Sequence, residues 1–154
     1  MPPGNKNPWI PPVTFHFRVE FQWEGNDRAS ASFSEVDGLG QELVLGGEAK
    51  RMDSFPGLPT DLKVSDITLS RSLEPLNERI TQWFVQGFNV FDEGWIAPCT
   101  LIISLLDEKG EATAVWECLR AIPFRWKLSA LNASESKLAV ESLTIRYTSL
   151  KRTK

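Results

Sequence analysis

The sequence predicts a mostly β domain with one packing helix, and three patterns lead to that prediction. Apolar and polar residues alternate strictly over residues 15–23, which is typical of a strand with one buried face. Later apolar segments are separated by clusters of Gly, Asp and Asn that favour turns. Residues 75–86 alone have the apolar spacing of an amphipathic helix. The 154 residues fit one domain, which at this size buries roughly 70% of its unfolded surface and needs no disulfide or metal.

We divide the chain into a proline-rich tail over residues 1–13, a single β domain over residues 14–150 and a short basic tail over residues 151–154. The prolines make the first segment non-helical and favour an extended conformation. Because this tail also contains Trp9, we expect it to lie against another surface. It has no apolar segment typical of a secretory signal, so we expect the protein to be made in the bacterial cytoplasm.

Residues 41–55 are predicted to form a protruding hairpin arm. Its turn would be Gly46-Gly47, because paired glycines supply the positive φ angles of tight turns, and its strands would be residues 41–45 and 48–53. The arm has too few apolar residues to anchor both strands in the core and too many for a solvated arm. We therefore expect it to dock on a neighbouring subunit. The predicted ring-stacking residues are Leu43, Val44, Leu45, Met52 and Phe55.

The predicted helix has Pro75 in its first turn, where a missing N–H costs nothing, and Gly87 as its C-terminal stop. Its apolar stripe consists of Leu76, Ile80, Trp83 and Phe84. The loop over residues 88–98 then carries large apolar groups that the core does not explain. Spare aromatic residues mark protein contacts more often than ligand pockets, so we predict a baseplate or neighbour contact at Trp9, Phe91 and Trp95.

Residues 99–106 and 111–119 are predicted to form a hairpin around a four-residue loop, 107–110. This register places Cys99 opposite Cys118, on a wholly apolar face, and we expect both to be reduced core thiols. Residues 121–128 follow as a strand that Pro123 makes an edge or a bend.

The last predicted strand, residues 137–148, changes the face of its apolar residues part-way along. Leu143, Ile145 and Tyr147 share one face, whereas Leu138 and Val140 point to the other. This change implies a bulge or a strand that passes from one sheet to another.

The sequence indicates no catalytic residue, cofactor site or metal site. The single histidine, His16, lies on the polar face of the first strand, and the two cysteines lie far apart in sequence rather than at metal-ligand spacing. The net charge of −3 and the absence of a basic stripe argue against a nucleic-acid site. No stretch approaches the ~18 to 20 apolar residues of a membrane span, so no membrane insertion is expected.

Several collinear segments resemble phage tail tube proteins of the contractile-tail type. Residues 15–20 (FHFRVE) and 33–39 (FSEVDGL) resemble the opening signature of that family. The further matching pieces are residues 56–57, 67–69, Trp83, 106–110, Trp116, 121–123, 131–133 and 139–143. The match extends from about residue 13 to residue 150.

The resemblance implies a β-barrel or two-sheet domain with one flanking helix, whose copies form sixfold rings. The rings would stack into a hollow tube inside a contractile sheath, as the repeated tube protein or as a first ring at the baseplate. The implied partners are other copies of the chain, sheath and baseplate proteins, and protein cargo in the lumen. The implied location is a virion tail or a released injection particle after cytoplasmic assembly. Exposed edges of the second and last strands also favour ring closure.

Two other functions fit the residues alone. One is a small-molecule-binding protein built on a lipocalin-like barrel, and the other is an esterase or glycosidase on a β scaffold. The assembly state separates the first interpretation from both of these.

Overall fold

The computed structural model describes residues 16–46, 57–134 and 138–154, so the predicted tail with Trp9 lies outside the described residues. The described elements are β1 (His16–Gln22), β2 (Arg28–Phe33), β3 (Glu35–Asp37), β4 (Gln41–Gly46), β5 (Leu58–Val64), β6 (Ile67–Ser72), α1 (Arg79–Phe88), α2 (Val90–Glu93), β7 (Cys99–Leu106), β8 (Ala112–Leu128), β9 (Val140–Arg146) and β10 (Ser149–Arg152).

Two antiparallel sheets share the long strand β8. Its first half pairs with β7 and β10, which gives a first sheet in the order β2-β1-β7-β8-β10. Its second half pairs with β9, which gives a second sheet in the order β8-β9-β6-β3. The domain is therefore mostly β with two sheets, as predicted, but it is not a closed barrel. Strands β4 and β5 form a separate two-stranded sheet, the protruding arm.

The core fills the space between the two sheets and α1. The alternation predicted for β1 is confirmed, because Val19 and Phe21 are fully buried. Phe21 packs edge-on against Trp83 of α1, with ring centroids 5.7 Å apart. The indole N–H of Trp83 donates a hydrogen bond to the Ala97 carbonyl at 2.6 Å, which satisfies the polar group of a buried side chain.

The β7–β8 hairpin has the predicted faces but a register shifted by two residues. Leu101, not Cys99, lies opposite Cys118. The predicted pairing was wrong for two reasons: the connecting loop is 107–111 rather than 107–110, and a bulge between Leu105 and Leu106 shifts the register by a further residue. The Asp107 carboxylate accepts the Glu111 N–H inside this loop at 2.9 Å. A shift of two keeps each side chain on its predicted face. Both cysteines are buried free thiols, and burial raises the pKa of Cys118 to about 12.

Strand β8 bends where it passes from the first sheet to the second. Arg120 adopts a positive φ of 53°, at an extra residue relative to β7, and a second irregularity follows Pro123. Positive φ is uncommon outside glycine, and such a residue is typical of a bulge that increases strand twist. The predicted bend near Pro123 is therefore present, although the strand continues through it as one element.

The last strands also pass between sheets, as predicted, but the transition lies later than the parity change suggested. β9 pairs with the second half of β8, and β10 pairs with the first half. The transition is at residues 147–148, where the Thr148 N–H donates to the Leu119 carbonyl at 2.9 Å. Leu138 and Val140 are exposed, so the change of face reflects outward-pointing residues rather than a bulge.

Helix α1 begins at Arg79 rather than at Pro75, and it continues through Gly87. Glu78 is the N-cap, with an extended φ of −71° and ψ of 137°, and its carboxylate accepts the Thr81 N–H at 2.8 Å. Leu76 precedes the helix and is exposed, so the buried apolar stripe begins at Ile80, one turn later than predicted. Gly87 is buried inside the helix, and a Cβ there would lie 2.8 Å from Pro123 Cγ, so a side chain does not fit without a shift.

The arm pairs differently from the prediction. β4 pairs with β5, with Leu43 opposite Leu62 and Gly46 opposite Leu58, instead of pairing with residues 48–53. The second half of the predicted turn and the predicted return strand lie outside the described residues. The arm is therefore closed by a longer excursion than a two-residue turn.

Replacing Gly87 with Ala is expected to destabilise the domain. Alanine in a helix interior normally stabilises by roughly 0.5–1 kcal/mol relative to glycine, but overpacking against Pro123 costs about 1–3 kcal/mol. We expect a net loss of about 1 kcal/mol in the free energy of unfolding, measured by urea denaturation. Gln86→Ala on the exposed face is the control and should stay within about 0.5 kcal/mol. A Gly87→Ala variant as stable as the parent would contradict this packing.

Candidate assembly interface

The arm has one apolar face and one charged face. Leu43, Leu45 and Leu62 form the first, which we call the leucine face, and they are 56%, 45% and 48% exposed. Glu42 and Lys63 lie opposite each other on the other face. A two-stranded hairpin is marginally stable alone, and it gains stability from packing one face on another surface. The described domain provides no such surface, since the leucines remain exposed.

Of the predicted stacking residues, three are described. Leu43 and Leu45 are exposed and Val44 is half-buried, whereas Met52 and Phe55 lie outside the described residues. The structure thus brings together Leu43 and Leu45, and it adds Leu62, which the sequence analysis missed. Strand β5, which contains Leu62 and pairs with β4, could have been predicted from the apolar residues 58, 62 and 64, which follow the glycine- and proline-rich segment.

The base of the arm is fixed to the domain. The Gln41 side-chain amide donates to the Leu150 carbonyl of β10 at 2.8 Å, and the Ser65 N–H donates to the Gly40 carbonyl at 3.1 Å. Gly38 has a φ of 91°, and a Cβ there would collide with the Asp66 carbonyl oxygen. These contacts fix the base of the arm to β10 and to the residues that connect β5 to β6.

An apolar groove lies on a different part of the surface, between α1 and the second sheet. We call it the helix groove; its volume is about 190 Å³. Its exposed walls are Leu73, Val85, Phe88 and Trp126, and Phe84 and Leu143 are buried beneath them. Exposed apolar patches of this kind mark interaction sites more often than scattered single residues do.

A buried ion-pair network holds the groove together. Arg71 Nε donates to Glu141 Oε1 at 2.8 Å, and Arg71 Nη2 donates to Glu78 Oε2 at 2.8 Å. The Trp126 indole N–H donates to Glu141 Oε2 at 3.3 Å. Arg71 therefore connects β6 to β9 and to the first turn of α1.

The charges of this network are stabilised by their partners. Burial alone would lower the pKa of Arg71, but the hydrogen bonds and negative charges of Glu78 and Glu141 raise it. Burial alone would raise the pKa of Glu78, but hydrogen bonds from Arg71 and Thr81 lower it. All three side chains are consequently held in place by charge-assisted hydrogen bonds.

The sequence analysis missed the network, although a signal was present. Arg71 has the same parity in β6 as the buried Ile67 and Leu69, and Glu141 has the same parity in β9 as the buried Leu143. A cation and an anion that alternate in step with the buried residues of two paired strands indicate a buried ion pair. Polar residues at such positions are rarely fully buried unless they are paired.

The two predicted aromatic contact residues within the described chain are exposed. Phe91 lies on α2 and is 98% exposed, and Trp95 follows α2. Neither lines the helix groove. Their role as a baseplate or neighbour contact stays a prediction, as does that of Trp9, which is outside the described residues.

The first sheet ends in two strands that each pair on one side within the described chain. These are β2, which pairs with β1, and β10, which pairs with β8. These are the second-strand region and the last strand, whose edges the sequence analysis predicted to be exposed. An open edge presents backbone donors and acceptors to another chain.

Within residues 16–46, 57–134 and 138–154, no group of three or more His, Cys, Asp or Glu side chains could hold a metal ion. His16 is exposed on β1. No helix in the same residues is long and apolar enough to cross a membrane.

The family of T4-like virus tail tube protein gp19 matches residues 13–151 of this chain. The chain belongs to this family. The match covers the two sheets, the arm and α1, in agreement with the collinear segments from which the resemblance was inferred. No curated protein sequence matches the chain.

Solved structures give the same fold. A chain of the anti-feeding prophage baseplate has a TM-score of 0.76 at 20% identity, covering 94% of this chain and 96% of that one. A chain of the PVC sheath–tube complex, an extracellular contractile injection system in its extended state, has a TM-score of 0.73 at 19% identity, covering 93% and 91%. A chain of the anti-feeding prophage tube-terminating cap has a TM-score of 0.74 at 19% identity, covering 99% of both.

Replacing Glu141 with Ala is expected to destabilise the domain by about 3–5 kcal/mol, because it leaves the Arg71 guanidinium buried without one of its two partners. The double variant Arg71→Met with Glu141→Leu should lose much less, since it removes both charges from the core. Urea denaturation of the single and double variants measures both losses. Equal losses in the two proteins would contradict the ion-pair assignment.

The contribution of Glu78 to stability should depend on pH. Its pKa in the folded protein lies below the ordinary value of 4.5, so its contribution is present above that value and is lost as the pH falls through the folded pKa. We expect the difference in unfolding free energy between the parent and Glu78→Gln to be constant near neutral pH and to shrink in acid. Urea denaturation of both proteins from about pH 3 to about pH 7, on either side of the ordinary carboxyl pKa, measures this difference in unfolding free energy. A difference that does not change with pH would rule out the charged cap.

Proposed function

We propose that this chain is a non-enzymatic structural subunit whose rings stack into the inner tube of a contractile phage tail or a phage-derived injection machine. The observation that carries the proposal is a projecting arm with an exposed leucine face on a member of the tail tube family. The subunit acts either as the repeated tube protein or as the first ring at the baseplate. Its work is geometric: it closes a ring, stacks on the next ring and encloses a channel.

Ring closure follows from the two open edges of the first sheet. β2 and β10 lie at opposite edges of that sheet. A head-to-tail contact of β2 in one copy with β10 in the next satisfies both edges and generates a ring if the rotation closes. We propose six copies, as the family resemblance implies.

Stacking between rings is the role we propose for the arm. Burial of one leucine side chain is worth roughly 1.5–3 kcal/mol, so a docked leucine face contributes a few kcal/mol before ordering costs. A ring presents several arms at once, and this multivalency increases avidity without any new contact type.

The partners we propose are other copies of the chain, sheath and baseplate proteins, and protein cargo in the lumen. The proposed location is the bacterial cytoplasm during assembly, followed by a virion tail or a released injection particle. The open sheet weighs against a lipocalin-like binding protein, because such a barrel must close to enclose its ligand. No observation favours a hydrolase.

The purified protein is expected to form rings and tubes that are visible by negative-stain microscopy. The double substitution Leu43→Asp with Leu45→Asp should abolish tubes and leave a folded subunit, because it places two charges on the leucine face. Circular dichroism tests whether the variant is folded. Sedimentation tests whether it still forms rings.

The matched control is Lys63→Asp, which adds negative charge to the opposite face of the same arm. It should still form tubes. Tubes of normal length from the double leucine variant would remove the arm as the stacking element and move that role to residues 91–95. A parent protein that remains monomeric at high concentration would contradict the proposed function itself.

A further inference from the structure

We propose that strand β3 of one copy lies against the second half of β8 in the next copy, a contact that is selected by charge and rests on the proposed ring. Both segments are edges of the second sheet, whose order is β8-β9-β6-β3. Within the described chain, β3 pairs only with β6, and residues 122–128 of β8 pair only with β9. An edge of this kind offers backbone donors and acceptors to another chain.

The strand directions of the two edges fit each other. All three strand pairs in the second sheet are antiparallel, so β3 and β8 run in opposite directions. In a ring whose axis runs along these strands, every copy keeps the same polarity. β3 of one copy then meets β8 of the next in the antiparallel orientation of the rest of the sheet, and the contact continues from copy to copy until the ring closes.

The face of the second sheet that points away from the core repeats one polar pattern in two cross-strand rows. Each row has a carboxylate on β3, hydroxyls on β6 and β9, and a cation on β8. The first row is Asp37, Thr68, Thr144 and Arg125. The second row is Glu35, Ser70, Ser142 and Lys127. Because successive residues of a strand point to opposite faces, this face has an acidic edge along β3 and a basic edge along β8, whereas the alternating Val36, Leu69 and Leu143 pack in or against the core.

The hydroxyls in the middle of the face contact each other, and the charges at its two edges have no opposite charge beside them in the described chain. The Oγ1 atoms of Thr68 and Thr144 are 3.0 Å apart. The third cation of this face, Arg146, is paired with Asp66 at 3.1 Å. No salt bridge within residues 16–46, 57–134 and 138–154 includes the exposed side chains of Glu35, Asp37, Arg125 and Lys127.

These charges favour one pairing of edges over the others. β3 against β8 of the next copy places two carboxylates beside two cations, whereas two β3 edges or two β8 edges would place like charges together. β3 has only three residues, so its backbone hydrogen bonds alone discriminate little between partners. The charges therefore select a head-to-tail contact, which adds the second sheet to the ring closure proposed for the first.

Reversing the charge of one edge at a time tests the contact. Arg125→Glu with Lys127→Glu gives a variant with two acidic edges, and Glu35→Lys with Asp37→Lys gives one with two basic edges. All four positions are exposed, so circular dichroism should show the parental fold. Each variant alone should lose its rings in sedimentation and negative-stain microscopy, because its two edges repel each other. An equimolar mixture should recover rings, because the two variants alternate around a ring of six copies.

A variant with all four reversals has its acidic and basic edges exchanged and should form rings alone. The matched control, Lys63→Glu with Lys109→Glu, makes the same change in net charge as Arg125→Glu with Lys127→Glu, at exposed positions of the arm and the β7–β8 loop, and should keep its rings. Rings from either single-edge variant alone, no rings from their folded mixture, or loss of rings in the control would overturn this inference, and rings of the parent protein would leave the proposed function standing. A parent protein that forms no rings would overturn both.

Discussion

The buried guanidinium of Arg71 is the constraint on which the rest of the structure depends. Removing a charge from water costs several kcal/mol, so Arg71 is tolerable in the core only with its carboxylate partners in place. Those partners lie on β9 and at the N-cap of α1. A planar guanidinium donates hydrogen bonds to these carboxylates only in fixed directions, and this requirement sets where the helix begins relative to the second sheet. The groove walls then follow, because Val85 and Phe88 lie on the helix whose start is fixed, and Trp126 is held by Glu141.

Strand β8 transmits this local constraint to the whole subunit. One continuous strand of 17 residues belongs to both sheets, so the position of α1 against the second sheet also fixes the first sheet. The β9–β10 segment follows β8 along nearly its whole length and carries the Leu150 carbonyl that anchors the arm. The groove and the base of the arm are therefore connected through the paired strands β8, β9 and β10.

Sequence patterns predicted the faces of the strands better than their partners. Period-two alternation reports which side chains are buried, and it was correct for β1 and for the faces of β7 and β8. Register depends on loop closure and on bulges: the longer loop, 107–111, and the bulge between Leu105 and Leu106 together shifted the pairing by two residues. The partner of β4 was wrong because a glycine pair offered a nearer turn than the distant β5. The Arg71–Glu141 pair was missed because polar residues were assigned outward, a rule that fails when two opposite charges satisfy each other.

The proposed assembly divides its two contacts between different kinds of interaction. Ring closure by β2 and β10 uses backbone hydrogen bonds, which are directional and fix the angle between neighbouring copies. Stacking by the leucine face uses apolar burial, which is non-directional and tolerates small rotations between rings. A tube inside a contracting sheath needs both properties, because each ring must keep its diameter while the stack transmits force. Placing the rigid contact on the shared sheet and the tolerant contact on a separate two-stranded arm lets one small domain supply both.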